Sequence, residues 1–259
     1  MIPETVQAND RGLLLADGLF ETLLWENGEL DAFDAHAGRL ARGCRVLRLP
    51  VPDPADLRAA AEAAVAEAGL QDARAAVRLS WTAGSGARGL DRSGREQPQL
   101  LAMAVAVAAP AGPARLVTVS VRRNEGSPAS RLKTLSYLDS VLAKLEARDR
   151  GGDEALMLNN AGQLASGAAS NLFWITGGRL YTPGLDCGVL HGTMRARVLD
   201  AAASLGIEAM QVSAGLQALE GAEGVFLTSS LLKVREVSEL DGQPIPSSPL
   251  TARLSSRCR

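Results

Sequence analysis

Apolar positions along the chain recur with two periods, and the switches between them outline the secondary structure. Residues 19–25 and 30–33 read as two strands separated by Asn27-Gly28, the dipeptide best suited to a two-residue hairpin because both positions accept positive φ. Asp34 is placed to cap a helix in which Ala37, Leu40, Ala41 and Cys44 repeat at helical spacing, which predicts one buried face. Pro54 opens a second, alanine-rich helix over 56–68. Strand-like runs follow at 75–82, 99–107 and 116–121, and the stretch Ala108-Ala109-Pro110-Ala111-Gly112-Pro113 between the last two can continue neither element. That break predicts a first domain over 1–109, a linker at 110–113 and a second domain over 114–259. In the second half the periods alternate. Helices are expected at 138–150 and 194–205, and strands at 155–159, 171–175 and 179–181 and near Met210, Val225 and Val234, with a turn at Gly177-Gly178. Neither an internal repeat nor a low-complexity tail interrupts this pattern.

Composition narrows the function. With 46% apolar residues, 259 residues can bury the core of one or two domains. A net charge of −2 offers no basic surface for nucleic acid or anionic lipid, and 3% aromatic residues give little material for base stacking. Cys44, Cys187 and Cys258 are odd in number and far apart, which argues against a disulfide framework or a zinc site. His36 and His191 are the only histidines, too few for a His-rich metal centre, and a Ser-His-Asp triad has almost no material. No apolar run reaches membrane-spanning length and the first residues do not read as a signal peptide, so a cytoplasmic protein with neither membrane nor nucleic-acid partner is expected.

Chemistry centres on Lys133, in Ser130-Arg131-Leu132-Lys133-Thr134-Leu135-Ser136-Tyr137-Leu138-Asp139, read as a strand-to-helix junction. A junction lysine can be partly buried, which lowers its pKa and suits it to Schiff-base chemistry; taken alone, however, a single lysine is usually a solvated surface group. Downstream, Ala165-Ser166-Gly167-Ala168-Ala169-Ser170-Asn171-Leu172-Phe173-Trp174 precedes Thr182-Pro183-Gly184-Leu185-Asp186-Cys187-Gly188-Val189-Leu190-His191-Gly192-Thr193-Met194-Arg195. Together with Asp10-Arg11-Gly12 and Asp17-Gly18-Leu19-Phe20-Glu21-Thr22, this set resembles the class IV pyridoxal-phosphate enzymes, which include branched-chain and D-amino-acid aminotransferases and 4-amino-4-deoxychorismate lyase. The matches run in the family's order from about residue 10 to residue 245.

The resemblance implies an α/β (α+β) fold of two domains, the N-terminal one smaller, with pyridoxal 5′-phosphate at their junction. It implies a homodimer acting on a small amino-acid-like substrate. Lys133 takes the position of the Schiff-base lysine and catalytic base. Thr193 and Met194 open a helix whose free N–H groups suit a phosphate, Ser229 and Ser230 occupy the second phosphate turn, and Arg39 matches the arginine that reaches the phosphate. Without the resemblance, the start of that helix reads equally as a plain cap and Arg39 as a solvated helix residue. Ser166 stands where most members carry a glutamate against the pyridine nitrogen. Either it is a weaker partner, or the ring works less protonated, or activity is altered. Thr82-Ala83-Gly84-Ser85-Gly86-Ala87-Arg88-Gly89-Leu90 resembles the lyase loop Arg-Gly-x-Gly-x-Arg-Gly, with Arg88 retained for a substrate carboxylate and Ala83 in place of the first arginine. Spacing alone gives a glycine-rich hairpin there. Gly192-Thr193-Met194-Arg195 lies nearer the lyase pattern Gly-x-Met-Arg than Gly-Ile-Thr-Arg, which favours 4-amino-4-deoxychorismate lyase, with Thr22 as a proton donor to the leaving group. An aminotransferase, and a non-catalytic protein on the same fold, are the alternatives.

Overall fold

Strand β1 (Gly18–Glu26) alternates between a core face and an opposite face, and reverses at Asn27-Gly28 into β2 (Glu29–Leu30) with φ of 56° and 80° at the two turn residues. The computed structural model describes residues 5–86, 89–94 and 96–258. They form two units, the first comprising Met1–Ala108 with Leu132–Ser136 and the second Ala109–Arg131 with Tyr137–Arg259. Leu132–Ser136, and Lys133 with it, therefore belongs to the first unit, an excursion that a continuous second domain over 114–259 does not include.

In the first unit β1 pairs antiparallel with β3 (Ala75–Ser85), and β3 with β4 (Gln97–Ala106), giving the order β2-β1-β3-β4. Leu19, Leu23, Trp25, Val77 and Leu79 bury one sheet face in a core shared with Phe33, Leu40 and Cys44 of α2 (Phe33–Leu47) and Leu57, Ala61 and Val65 of α3 (Pro54–Glu67). Asp53 caps α3 by accepting from Ala55 N at 2.8 Å, but Asp34 does not cap α2. That helix begins two residues earlier than a cap at Asp34 would set it, entered through Ala32 in the left-handed conformation, and leaves Asp34 in its first turn. A short helix not expected from the pattern, α1 (Arg11–Leu15), is capped by Asp10, whose Oδ1 accepts from Gly12 N at 2.7 Å. Lys133 lies in a turn between a 3-10 helix (Pro128–Arg131) and the bridge of Thr134 to Leu19, five residues ahead of the helix start at Leu138: Phe20 N donates to Lys133 O at 2.9 Å and Leu135 N to Gly18 O at 3.0 Å, covering the edge of β1 that β2 leaves open.

The second unit holds a nine-stranded mixed sheet, made of β5 (Ala114–Thr118), β6 (Glu154–Leu158), β7 (Leu164–Ser166), β8 (Asn171–Thr176), β9 (Arg179–Pro183), β10 (Ala209–Val212), β11 (Gly224–Ser229), β12 (Lys233–Leu240) and β13 (Gln243–Pro244). The order is β10-β9-β8-β11-β12-β5-β6-β7, with β13 on β12, and pairing of Ser166 with Asn171 closes β7 back onto β8. Sequence-wise, β8 is a continuous apolar run because both faces are buried. Leu172 and Trp174 enter the core that holds Leu116, Leu156, Leu164 and Leu227. Phe173 and Ile175 face α5 (Thr193–Ser204) and α6 (Pro249–Arg257), with Phe173 stacked on Phe226 at 5.0 Å. Helix α4 (Leu138–Asp149) buries Ser140, Ala143 and Ala147 beside Val117, Ala155 and Met157, while Leu138, Val141, Leu142 and Leu145 stay exposed.

Candidate functional site

In the first unit, successive residues of β1 serve two different environments. Glu21, on the core face, is 1% exposed and meets His36 and Arg39, which helical i, i+3 spacing places on one side of α2. Its Oε1 accepts from Arg39 Nε at 2.8 Å, and its Oε2 accepts from Arg39 Nη2 at 2.5 Å and from His36 Nδ1 at 2.7 Å. Burial alone would raise the Glu21 pKa, but Arg39 and His36 outweigh it and bring the carboxyl from 4.5 down to about 2. Arg39 thus gives its Nε and Nη2 to Glu21. On the opposite face, the Phe20 ring meets two basic side chains, Arg78 with its guanidinium carbon 3.7 Å from the ring centroid and Lys133 with its Nζ at 4.4 Å. Thr22, two residues from Phe20 and paired with Arg78, shares this face and is partly buried.

Arg11 and Arg92 secure the chain beyond β3. Arg11 donates to the carbonyls of Gly89, Leu90 and Asp91 at 3.1, 2.8 and 3.3 Å and to Asp17 at 2.9 Å. Arg92 Nε donates to Asp17 at 3.0 Å. Arg88 itself lies outside the described residues.

In the second unit, the start of α5 is built by Asn171. Its Nδ2 donates to Leu190 O at 2.9 Å, and a Cβ on Gly192 would lie 2.0 Å from its Oδ1, so any larger residue at the N-cap would have to displace the Asn171 side chain. Gly192, the N-cap residue, makes no side-chain hydrogen bond to the start of α5. Thr193 Oγ1 stands 3.5 Å from Ser230 Oγ, bringing together two residues 37 apart in sequence. Ser229 Oγ instead accepts from Leu232 N at 3.1 Å, and the Met194 side chain is buried in the core against β8 and β11, leaving only its backbone for a ligand. Thr228 Oγ1 is buried without a hydrogen-bond partner, on the sheet face that α5 covers, since Thr228 pairs with Asn171.

Ser166, 5% exposed at the end of β7, donates its hydroxyl to Gly167 O at 2.8 Å and accepts from Arg123 Nε at 3.3 Å. Arg123 Nη2 reaches Ser140 Oγ at 3.2 Å, Ala168 O at 3.1 Å and Gly167 O at 3.4 Å. Burial lowers its pKa and outweighs the opposing pull of Tyr137, Asp139 and Glu154. Glu21, His36, Asn171 and Arg123 were not singled out from sequence. A carboxylate in the alternating β1 pattern, followed by a His-x-x-Arg pair on the next helix, was the available signal for the first two; Arg123 had none, because its partners lie 17 to 45 residues away. Among the described residues no cluster of three or more His, Cys, Asp or Glu is placed to hold a metal, and no helix is long and apolar enough to cross a membrane.

The amino-transferase class IV family model matches residues 18–240. A Methanocaldococcus jannaschii protein provisionally named a branched-chain-amino-acid aminotransferase is 32% identical over 93% of this chain and 84% of its own. The aminodeoxychorismate lyase of Bacillus subtilis is 28% identical over 90% and 80%. Among solved structures, a Legionella pneumophila protein provisionally named a 4-amino-4-deoxychorismate lyase superposes with a TM-score of 0.91 at 27% identity, covering 98% of this chain and 94% of its own. The pyridoxal-phosphate-bound form of a hypothetical aminotransferase from Mycobacterium tuberculosis gives a TM-score of 0.84 at 25% identity, covering 100% and 94%.

Proposed function

Because the chain belongs to the class IV aminotransferase family of pyridoxal-phosphate-dependent enzymes, we propose that it is a lyase that converts 4-amino-4-deoxychorismate to pyruvate and 4-aminobenzoate. The observation that carries this choice is Ser166, a buried hydroxyl at the position that the resemblance assigns to the ring nitrogen. Bound pyridoxal phosphate supplies an electron sink for the pair left when a proton leaves the amine-bearing carbon. A serine hydroxyl cannot stabilise positive charge on the ring nitrogen as a carboxylate does, so that sink is shallower. In the lyase reaction the product ring becomes aromatic, a driving force that transamination lacks, and the shallower sink is better tolerated.

Each residue then has one task. Lys133 is the attachment point and, once the substrate amine has taken its place, the base at the amine-bearing carbon. Of the three lysines, Lys133 alone stands in the motif that carries the resemblance. The N–H groups of Thr193 and Met194, with the hydroxyls of Thr193, Ser229 and Ser230, hold the phosphate, and Arg39 adds charge that Glu21 partly balances. The chemistry of this donor set fits an anion, since it gathers hydroxyls and the N-terminal end of a helix dipole, and the buried Thr228 hydroxyl beside it lacks a partner. Arg88 binds a substrate carboxylate, and Thr22 protonates the departing enolpyruvyl group.

The aminotransferase reading uses the same lysine and phosphate residues and draws support from the 32% identical relative. The reaction separates the two. Incubating the purified protein with 4-amino-4-deoxychorismate should yield pyruvate and 4-aminobenzoate in equal amounts. Formation of neither, together with stoichiometric keto acid from a branched-chain or D-amino acid, would replace the lyase with the aminotransferase.

A further inference from the structure

We propose that Arg123 is a positioning residue that keeps the ring nitrogen of bound pyridoxal phosphate unprotonated, by holding the Ser166 oxygen and placing behind it a positive charge to which no carboxylate is bonded. The inference rests on the reading above, in which Ser166 meets that nitrogen. Arg123 is anchored by its backbone, its N–H donating to Leu158 O at 2.9 Å beside the end of β6. Its side chain then converges on the Ser166–Ala168 turn and on Ser140 of α4. Every hydrogen-bond acceptor it meets is neutral: two hydroxyls and two carbonyls.

The charged and titratable groups facing Arg123 from the elements around it are Tyr137, Asp139 and Glu154, and these act on it without hydrogen-bonding to it. Glu154 is occupied elsewhere, accepting from Ala155 N at 2.9 Å and from Ala168 N at 3.3 Å while pairing with Lys144 at 3.5 Å. Asp139 and Glu154 act on the guanidinium through space, and neither carboxylate bonds to it.

Serine can meet a ring nitrogen in two ways. Its oxygen can accept from a protonated nitrogen, or its hydroxyl can donate to a neutral one. Arg123 already fills one lone pair of Ser166 Oγ, and its charge disfavours a second cation one hydrogen bond away. The hydroxyl proton now directed to Gly167 O needs only a rotation about the Cβ–Oγ bond to donate to the nitrogen. A like charge at this range lowers the pKa of a titrating nitrogen by about 1–3 units, which favours its neutral form.

Holoenzyme reconstituted with cofactor labelled with nitrogen-15 in the ring reports this state directly through its chemical shift. Wild-type protein and Arg123→Lys, which keeps the charge, should both show the shift of a neutral pyridine. Arg123→Gln should move the titration of the nitrogen upward by about 1–3 units, and Ser166→Glu should give the protonated signal. A protonated wild-type nitrogen, or an Arg123→Gln signal identical to wild type, would overturn the role of Arg123. A Ser166→Glu signal unchanged from wild type would remove Ser166 from the ring nitrogen, and so would overturn the site reading and this inference together. Thermal melting of the cofactor-free variants keeps the test independent of folding. If Arg123→Gln melts like wild type yet its nitrogen titrates higher, the effect is electrostatic; if only melting changes, the arginine is structural and the proposal falls.

Discussion

Two arginines, one in each unit, the first buried and the second half-buried, are balanced in opposite ways. Arg39 meets a carboxylate through two nitrogens, with a histidine on the same carboxylate, so the charges of Arg39 and Glu21 balance each other in direct contact. Arg123 meets only hydroxyls and carbonyls. An ion pair balanced in this way contributes mainly to holding β1 against α2, and breaking it leaves a stranded charge. An arginine with neutral partners keeps its field for whatever lies beyond them. The difference explains why a resemblance that assigns Arg39 to the phosphate understates its structural role.

The largest expected effect follows from that point. Arg39→Ala removes the principal counter-charge of a carboxylate that is 1% exposed and should destabilise the protein by about 3–5 kcal/mol in chemical denaturation. Loss of cofactor retention in this variant is then partly a consequence of unfolding, and the double change Arg39→Met with Glu21→Gln, which removes both charges, should recover much of the stability. Recovery of none would show that the two charges do not balance each other.

Next in size is the response to acid. The Glu21 carboxyl titrates near 2 in the folded chain against 4.5 when free, so its stabilisation is complete above pH 4.5 and is lost as the pH falls toward about 2. The lost contribution is on the order of 3 kcal/mol, and Glu21→Gln should flatten that part of the stability–pH curve. Denaturation midpoints measured through this range check both statements. In the second unit, Gly192→Ala should cost about 1–3 kcal/mol and weaken cofactor retention, because its Cβ would lie 2.0 Å from Asn171 Oδ1 and displace the start of α5. The smallest effect belongs to Ser166→Ala, at about 1 kcal/mol, since Arg123 keeps both carbonyls and Ser140.

These arginines also mark where sequence reading succeeds and where it stops. The apolar run 171–175 and the hairpin at Asn27-Gly28 were legible because a local rule decides them, burial on both faces in one case and positive φ in the other. Helix α4 was found by periodicity, but the face was not, since small Ser140, Ala143 and Ala147 pack against the sheet and the leucines remain exposed. Asp34 resembled a cap, yet a left-handed Ala32 starts the helix ahead of it. Lys133 was legible only through its motif, and its place beside Phe20 depends on pairing between residues more than a hundred positions apart. Arg123 could not be seen because its meaning comes from Ser140 and the Ser166 turn, which the sheet alone brings to it.

Borohydride reduction of the protein with bound pyridoxal phosphate, followed by peptide mapping, tests the assignment of Lys133 most directly. The label should fall on the peptide containing Lys133 and be absent from Lys133→Ala. A label on Lys144 or Lys233, or on no lysine, would contradict the placement of the chemistry at the Phe20 face of β1.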